Sequence, residues 1–306
     1  MSKKRHTQQA VGIVVLLAVA CFIFIILFDR NKRERLDKIE APSSEILLTY
    51  TDGSQIELTK KTKKTLKDDD GKVYATVENG KIRMNPISDT LWAVPIASIA
   101  TPRGGLFEVD LPDGTHIKLN AASKLTYPKH FDSRKRTVEI DGEALLDVAA
   151  DTARPFIVST AREEIELKRT GGRFNVKGYK QDSLTRITPI DQPVIVTLIE
   201  RDSAFLLRLG QQYVSLADVF RLNNVKADNA IAWQNNRLIL DKVSYKEMLK
   251  QMERWYDVQV SYDSIPDGLI TGEINLDRPL KDFLHMISLT TRLTFDIHER
   301  TVRVRN

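Results

Sequence analysis

The chain opens with a basic tail that leads into one long apolar run. Residues 1–9 include Lys3, Lys4 and Arg5, and residues 10–28 read AVGIVVLLAVACFIFIILF without a charged side chain. At about 1.5 Å rise per residue a helix over this run is roughly 28 Å long, close to the hydrocarbon core of a bilayer. The pattern predicts a transmembrane helix at 10–28.

A basic leader before an apolar run is also typical of a cleavable signal peptide. The run is longer than the usual core of about 7–15 residues, and the residues that follow it, from Phe28 to Arg33, contain no small-x-small cleavage site. These features favour an uncleaved anchor over a signal peptide or a buried soluble helix. The charges leave its orientation open, because three Lys/Arg precede the run and five follow it within 30–38.

Beyond a charged linker at 29–45, apolar and polar positions alternate, which predicts β-strands. Two hairpins are indicated where such strands flank Asp52-Gly53 and Asp113-Gly114, because Asp-Gly favours the positive φ of a tight turn. Further short strands are predicted at 73–77, 82–84, 137–140, 156–159, 165–167, 174–176 and 194–198. The pattern over residues 46–213 therefore predicts a mainly-β domain, either a sandwich or a solenoid-like stack.

From residue 214 the pattern changes to strands that alternate with helices. A strand at 238–240 leads into Ser244-x-x-Glu247, a capping box whose side chains satisfy the first N–H groups of a helix. The apolar face of that helix ends at Trp255, which we expect to pack against the strand of Val258 and Val260. A second unit begins near 269, its helix opens at Pro279, and a last strand follows at 301–304. The order of these elements predicts a small α+β domain of two βαβ-like units over residues 214–306.

The positive charge is concentrated at the start of the chain. Of the net charge of +5 over 306 residues, residues 1–40 carry +4, from eight Lys/Arg and four Asp/Glu. The remaining residues are close to neutral, which argues against nucleic-acid binding. Cys21 is the single cysteine and lies within the apolar run, so the rest of the chain can form neither a disulfide nor a thiolate metal site.

Catalytic motifs are missing from the sequence. There is no G-x-S-x-G, no H-E-x-x-H, no phosphate-binding glycine loop and no C-x-x-C. The histidines downstream of the apolar run do not have metal-ligand spacing. We therefore expect a protein that is not an enzyme, with no catalytic residue, no cofactor and no metal.

Several segments occur in the order and spacing of one protein family. They are Thr101-Pro-Arg-Gly-Gly105, Phe107-Glu-Val-Asp-Leu-Pro-Asp-Gly-Thr115, Leu119-Asn-Ala-Ala-Ser123, Val138-Glu-Ile-Asp-Gly-Glu143, Arg154-Pro-Phe156 and Arg173-Phe-Asn-Val176. This region resembles the FecR family of membrane-anchored sensors and anti-sigma factors. The segment from Trp233 to Val258 resembles the domain that follows in longer members, which is similar to the short N-terminal domain of secretins and TonB receptors.

The resemblance implies a location and partners. It implies a single-pass protein of the inner (cytoplasmic) membrane whose C-terminal bulk lies in the periplasm. Such a protein relays a signal from a TonB-dependent outer-membrane transporter toward sigma-factor regulation, as in the regulation of iron transport. The implied partners are the periplasmic signalling domain of the transporter and a sigma factor or a separate anti-sigma chain, with no nucleic acid.

The short tail departs from the family pattern. Members that inhibit a sigma factor carry a cytoplasmic helical domain before the membrane helix, whereas here residues 1–9 precede it, too few to wrap a sigma factor. We therefore expect a form without the N-terminal anti-sigma domain. The alternative is a periplasmic scaffold or adaptor with no sigma-factor activity of its own.

Seven residues are candidates for a protein interface: Arg103, Gly104, Gly105, Asp113, Asn120, Arg173 and Trp255. The strongest argument is for Arg103, because a guanidinium group in a glycine-rich loop can reach a partner. The alternative interpretation is structural. The glycines then serve turns, and Asn120 satisfies backbone groups.

A second departure concerns chain cleavage. Family members read Gly-Thr before Arg-Phe-Asn-Val, and some break their chain there by attack of the threonine hydroxyl group. This sequence has Gly171-Gly172 at that place, and Gly172 lacks the hydroxyl that such an acyl shift requires. We therefore expect the protein to remain one chain.

Overall fold

The computed structural model describes residues 45–85, 95–128, 130–168, 170–216, 219–262 and 265–305. The tail at 1–9, the transmembrane helix expected at 10–28 and nearly all of the linker lie outside the described residues. Within the described ranges, no helix is both long enough and apolar enough to span a bilayer.

Eighteen strands form one curled sheet whose two halves face each other across a common core. The first layer contains β1 (Ile46–Tyr50), β2 (Gln55–Leu58), β6 (Ile96–Ala100), β9 (Lys124–Thr126), β11 (Phe156–Ser159), β12 (Glu163–Leu167), β15 (Val194–Leu198) and β16 (Ser203–Leu207). The second layer contains β3 (Lys64–Lys67), β4 (Val73–Glu78), β5 (Lys81–Met84), β7 (Phe107–Asp110), β8 (His116–Leu119), β13 (Gly172–Gly178), β14 (Leu184–Pro189), β17 (Gln211–Leu216) and β18 (Val219–Asn224). We call this region the β stack.

One long strand, β10 (Arg136–Val148), belongs to both layers. Its first part pairs with β9 and β11 in the first layer, and its second part pairs with β8 and β13 in the second. The strand changes layer at Gly142, which has φ 135° and lies so close to Ser123 that an added Cβ would come within 2.3 Å of its Oγ. A glycine is therefore required where the sheet folds over.

The chain passes back and forth between the layers as it advances along the stack. In each layer the strands follow one another in nearly their order in the sequence, so that β2 and β3 lie at one end and β16 and β18 at the other. The predicted mainly-β region is thus confirmed, in the form of a two-layered stack. It continues to Asn224, past the predicted boundary at residue 213, because β17 and β18 form a hairpin on β14.

The predicted small α+β part is also confirmed. A short helix α1 (Ala227–Ala230) and a 3-10 turn (Ala232–Asn235) lead into it, and its elements are β19 (Arg237–Ser244), α2 (Tyr245–Tyr256), β20 (Gln259–Ser261), β21 (Leu269–Asn275), α3 (Leu280–Thr290), β22 (Thr294–His298) and β23 (Thr301–Arg305). The strands of each unit do not pair with each other. Instead β19 pairs with β21, and β23 pairs with β20 and β22.

Trp255 anchors the core of this part, which also contains Val258 and Val260, as the sequence predicts. The side chain of Trp255 is 9% exposed, and its Nε1 donates a hydrogen bond to the Leu276 carbonyl at 3.0 Å. The indole ring therefore contributes both buried area and one buried hydrogen bond.

Two substitutions separate these contributions. Trp255→Ala should lower the free energy of unfolding by about 3–5 kcal/mol, because it leaves a large cavity. Trp255→Phe keeps most of the apolar volume and should cost clearly less, of which about 1 kcal/mol is the lost hydrogen bond. Urea unfolding followed by circular dichroism measures both, and equal losses for the two variants would contradict this packing.

Candidate functional site

The α+β part lies on the second layer of the β stack, and charged side chains of α2 make the contact. Asp182, in the loop between β13 and β14, accepts hydrogen bonds from Lys250 Nζ at 2.7 Å and from Arg254 Nη2 at 2.6 Å. The guanidinium carbon of Arg254 also lies 3.7 Å from the ring centre of Tyr179. Since Arg254 and Asp182 are largely buried, separating them would leave uncompensated charges.

A second ion pair lies nearby between Arg186 of β14 and Glu247 of α2. Both guanidinium nitrogens bind the carboxylate, Nη1 to Oε1 and Nη2 to Oε2, the latter at 2.9 Å. The predicted capping box is therefore correct only in its first half: Ser244 Oγ accepts from the Glu247 N–H at 3.2 Å, but the Glu247 carboxylate faces Arg186. A bidentate charged pair is stronger than a bond to one backbone N–H group.

The glycine-rich loop at 101–105 holds the other end of α2. Gly104, with φ 72°, donates its N–H to the Arg254 carbonyl at 2.7 Å, and Arg103 Nη1 donates to the Val258 carbonyl at 2.8 Å. The last carbonyls of a helix have no partner within it, so Gly104 satisfies a group that α2 leaves free, and Arg103 binds the chain just beyond the end of the helix. Gly105 is buried in the same loop and donates its N–H to the Pro102 carbonyl.

A buried polar network continues from this contact into the second layer. The Glu143 carboxylate accepts hydrogen bonds from Asn120 Nδ2 at 2.9 Å and from Asn175 Nδ2 at 3.3 Å. Asn175 Oδ1 in turn accepts from Trp233 Nε1 at 3.2 Å. The Lys177 ammonium lies 3.9 Å from Glu143, and burial lowers the pKa of Lys177 although the charge of Glu143 opposes this shift. The network ties the segment before β19 to the sheet.

Two regions of the chain match models of known protein families. Residues 97–188 match the model described as FecR protein, and residues 237–304 match the model described as FecR, C-terminal. The chain belongs to the FecR family. Arg103, Asp182 and Arg186 lie in the first matched region, and their partners on or next to α2 lie in the second. The contact therefore joins the two regions that define this FecR-family chain.

Solved structures agree with this assignment. Two crystal structures of a candidate anti-sigma factor from Parabacteroides distasonis ATCC 8503, at 1.65 and 2.50 Å resolution, are similar to this chain with a TM-score of 0.64 and 28% sequence identity. In each case the likeness covers 68% of this chain and 98% of the other. A search of curated proteins finds no match. These findings support a regulatory role in signal transduction of the anti-sigma type.

The seven candidate residues of this FecR-family chain lie in different places. Arg103, Gly104 and Gly105 form the loop at α2, and Asn120 belongs to the buried network. Three others lie elsewhere: Asp113 binds Arg136 at 2.7 Å inside the β stack, Arg173 binds Asp191 at 2.8 Å on the surface, and Trp255 lies in the core of the α+β part. The Arg103 guanidinium, expected to reach a partner, contacts this chain's own α+β part.

Sequence reasoning missed the charged residues of the contact. Lys250 and Arg254 are four residues apart on α2 and so lie on one face, a signal that was available. Asp182 lies in the loop before β14 and Arg186 lies in β14, and neither residue had a signal of its own in the sequence. Within the described ranges, no three His, Cys, Asp or Glu side chains are placed to share a metal ion.

The pKa shifts of Asp182 and Glu247 indicate how the stability of the contact depends on pH. Burial disfavours the charged form of Asp182, but the bonds from Lys250 and Arg254 outweigh it and lower the pKa of Asp182; Arg186 does the same for Glu247. A lowered folded-state pKa stabilises the protein above the ordinary carboxylate pKa of about 4, and this stabilisation is lost as the pH falls through the lowered values.

We therefore expect Asp182→Asn to be less stable than the parent at pH 7, and the difference to shrink as the pH falls from about 4 to 2. Thermal unfolding across this pH range measures it. Arg173→Gln, which breaks the surface pair with Asp191, is the control and should change stability by less than about 1 kcal/mol. A stability difference for Asp182→Asn that does not change with pH would contradict the assigned ion cluster.

Proposed function

We propose that this FecR-family protein is anchored in the inner membrane by residues 10–28 and receives a signal in the periplasm from the signalling domain of a TonB-dependent transporter. It then passes the signal toward sigma-factor regulation. The family membership and the similar candidate anti-sigma factor support a regulatory role. The apolar run in the sequence supports the anchor.

The observation that supports a protein partner is an exposed apolar surface at the far end of the β stack. Nine large apolar side chains are strongly exposed in the described residues, and seven of them lie between 199 and 222: Ile199, Leu206, Leu209, Leu216, Val219, Phe220 and Leu222. Clustered exposure of this kind marks interaction sites, whereas single exposed apolar residues are ordinary. We call this surface the terminal apolar edge.

Both strands at this end also have an unpaired edge within the described part of the chain. β16 pairs with β15 alone and β18 with β17 alone. Phe205 and Phe220 bridge the two layers as stacked rings 5.5 Å apart. Strand edges next to apolar side chains suit a partner that adds a β-strand, because its backbone bonds the edge and its side chains cover the apolar surface.

Charge placed on the terminal apolar edge tests this proposal. Val219 is 72% exposed on β18 and Leu206 is 43% exposed on β16, so Val219→Lys with Leu206→Lys should leave the fold intact and hinder strand addition at either edge. Leu289→Lys is the matched control, since Leu289 is 73% exposed on α3. We expect a tagged parent and the control to co-purify a transporter from membranes of the native host, and the double variant to lose it.

The co-purified proteins separate the possible roles. A sigma factor or an anti-sigma chain together with the transporter supports signal relay. Transporter alone indicates an adaptor, and neither protein indicates a scaffold. Equal recovery of the transporter with the double variant would contradict the terminal apolar edge as its binding surface.

A further inference from the structure

A polar cleft of about 620 Å³ lies beside the contact between the β stack and the α+β part. Its walls come from β13, β14, β17 and β18 on one side and from β19 and the start of α2 on the other. Its volume falls in the range of ligand-binding pockets. The lining is mostly polar, which suits a hydrophilic ligand.

Positive charge dominates the cleft. Six cationic side chains line it, namely Lys177, Arg186, Arg221, Lys226, Arg237 and Lys242, against three carboxylates, Glu143, Asp241 and Glu247. Three of the cations already lie beside a carboxylate: Arg186 beside Glu247, Arg237 beside Glu273, and Lys177 at 3.9 Å from Glu143. Within the described ranges, Arg221, Lys226 and Lys242 form no ion pair. The cleft therefore presents an excess of positive charge that an anion can neutralise.

Lys177 is the most informative of these residues. It is 9% exposed, and its ammonium group borders the cleft without a hydrogen bond to any described residue; Glu143, at 3.9 Å, is beyond hydrogen-bond distance. The ammonium group is open to the cleft, so its three donors are available to a ligand. A ligand carboxylate in the cleft would satisfy them.

The remaining lining points to a peptide. Side-chain amides of Gln212, Asn223, Asn224, Asn229 and Gln251 line the same cleft. An amide side chain can donate to a carbonyl and accept from an N–H group, so these residues match the alternating donors and acceptors of a peptide backbone. The cationic residues of the cleft thus favour a ligand with acidic side chains, and the side-chain amides can hydrogen-bond its peptide backbone.

We propose that this cleft binds an acidic peptide segment of a protein partner, with one carboxylate at Lys177 and others at Arg221 and Lys242. Lys177 and Arg221 belong to the β stack, whereas Lys242 belongs to the α+β part. A bound segment therefore contacts both and stabilises their arrangement. This site is additional to the strand addition proposed for the terminal apolar edge.

Binding of a labelled hexaglutamate peptide to the purified full chain tests the proposal, measured by fluorescence anisotropy at low salt. Lys177→Met should weaken binding at least about tenfold, because it removes a buried hydrogen-bonding charge. The double variant Arg221→Gln with Lys242→Gln should weaken it by a similar factor, and it decides the question if Lys177→Met fails to fold. The matched control is Lys64→Gln with Lys67→Gln, which removes two exposed charges from β3 at the other end of the stack.

The proposal requires that the control bind within about twofold of the parent and that a hexaglutamine peptide bind at least tenfold more weakly than hexaglutamate. No binding of hexaglutamate to the parent would overturn it. So would a control variant that loses as much affinity as the cleft variants, because attraction would then reflect net charge alone. Since no transporter is present, the result is independent of the proposed signal relay.

Discussion

The arrangement of the two parts depends on charges buried between them. Asp182 holds Lys250 and Arg254, and Arg186 holds Glu247, so that one face of α2 is fixed to the second layer at two points. Buried ion pairs gain little net stability over apolar contacts, but their geometry is specific because a displaced charge would be left unpaired. The loop of Arg103 and Gly104 also holds the C-terminal end of α2 and the residues just after it. The two family-matched regions consequently meet in one defined orientation.

The β stack explains where the free surfaces lie. Because the chain alternates between the layers, each added pair of strands covers the apolar end of the one before it, and the last strands remain uncovered. Stacked architectures of this kind need a polar cap or a partner at their ends. Here the uncovered end at β16 and β18 retains seven exposed large apolar side chains, while the adjoining cleft is basic. An apolar surface and a positively charged cleft thus lie side by side near β18.

Local features of the fold could be predicted from the sequence. The strands at 156–159 and 194–198 have the predicted bounds, the turns at Asp52-Gly53 and Asp113-Gly114 join paired strands, and Ser244 caps α2. Each of these depends on residues a few positions apart, where alternation, Asp-Gly and capping preferences act directly.

The contact itself could not be predicted in this way. Glu247 and Arg186 are separated by 61 residues, Asp182 and Arg254 by 72, and Arg103 and Val258 by 155. No local preference favours these pairs, and Glu247 leaves its predicted capping role because a distant guanidinium binds it better. Strand β18 was missed for a different reason: all of its side chains are exposed, so they do not alternate in the way that a half-buried strand requires.

The most direct test of this account is a double-mutant cycle between Asp182 and Arg254, with unfolding free energies measured for the parent, Asp182→Asn, Arg254→Met and the double variant. If the two side chains form the buried pair that orients the α+β part, the losses will be strongly non-additive, with a coupling free energy of about 1–3 kcal/mol. Losses that add within about 0.5 kcal/mol would show that the residues act independently, and would contradict the central role of this contact.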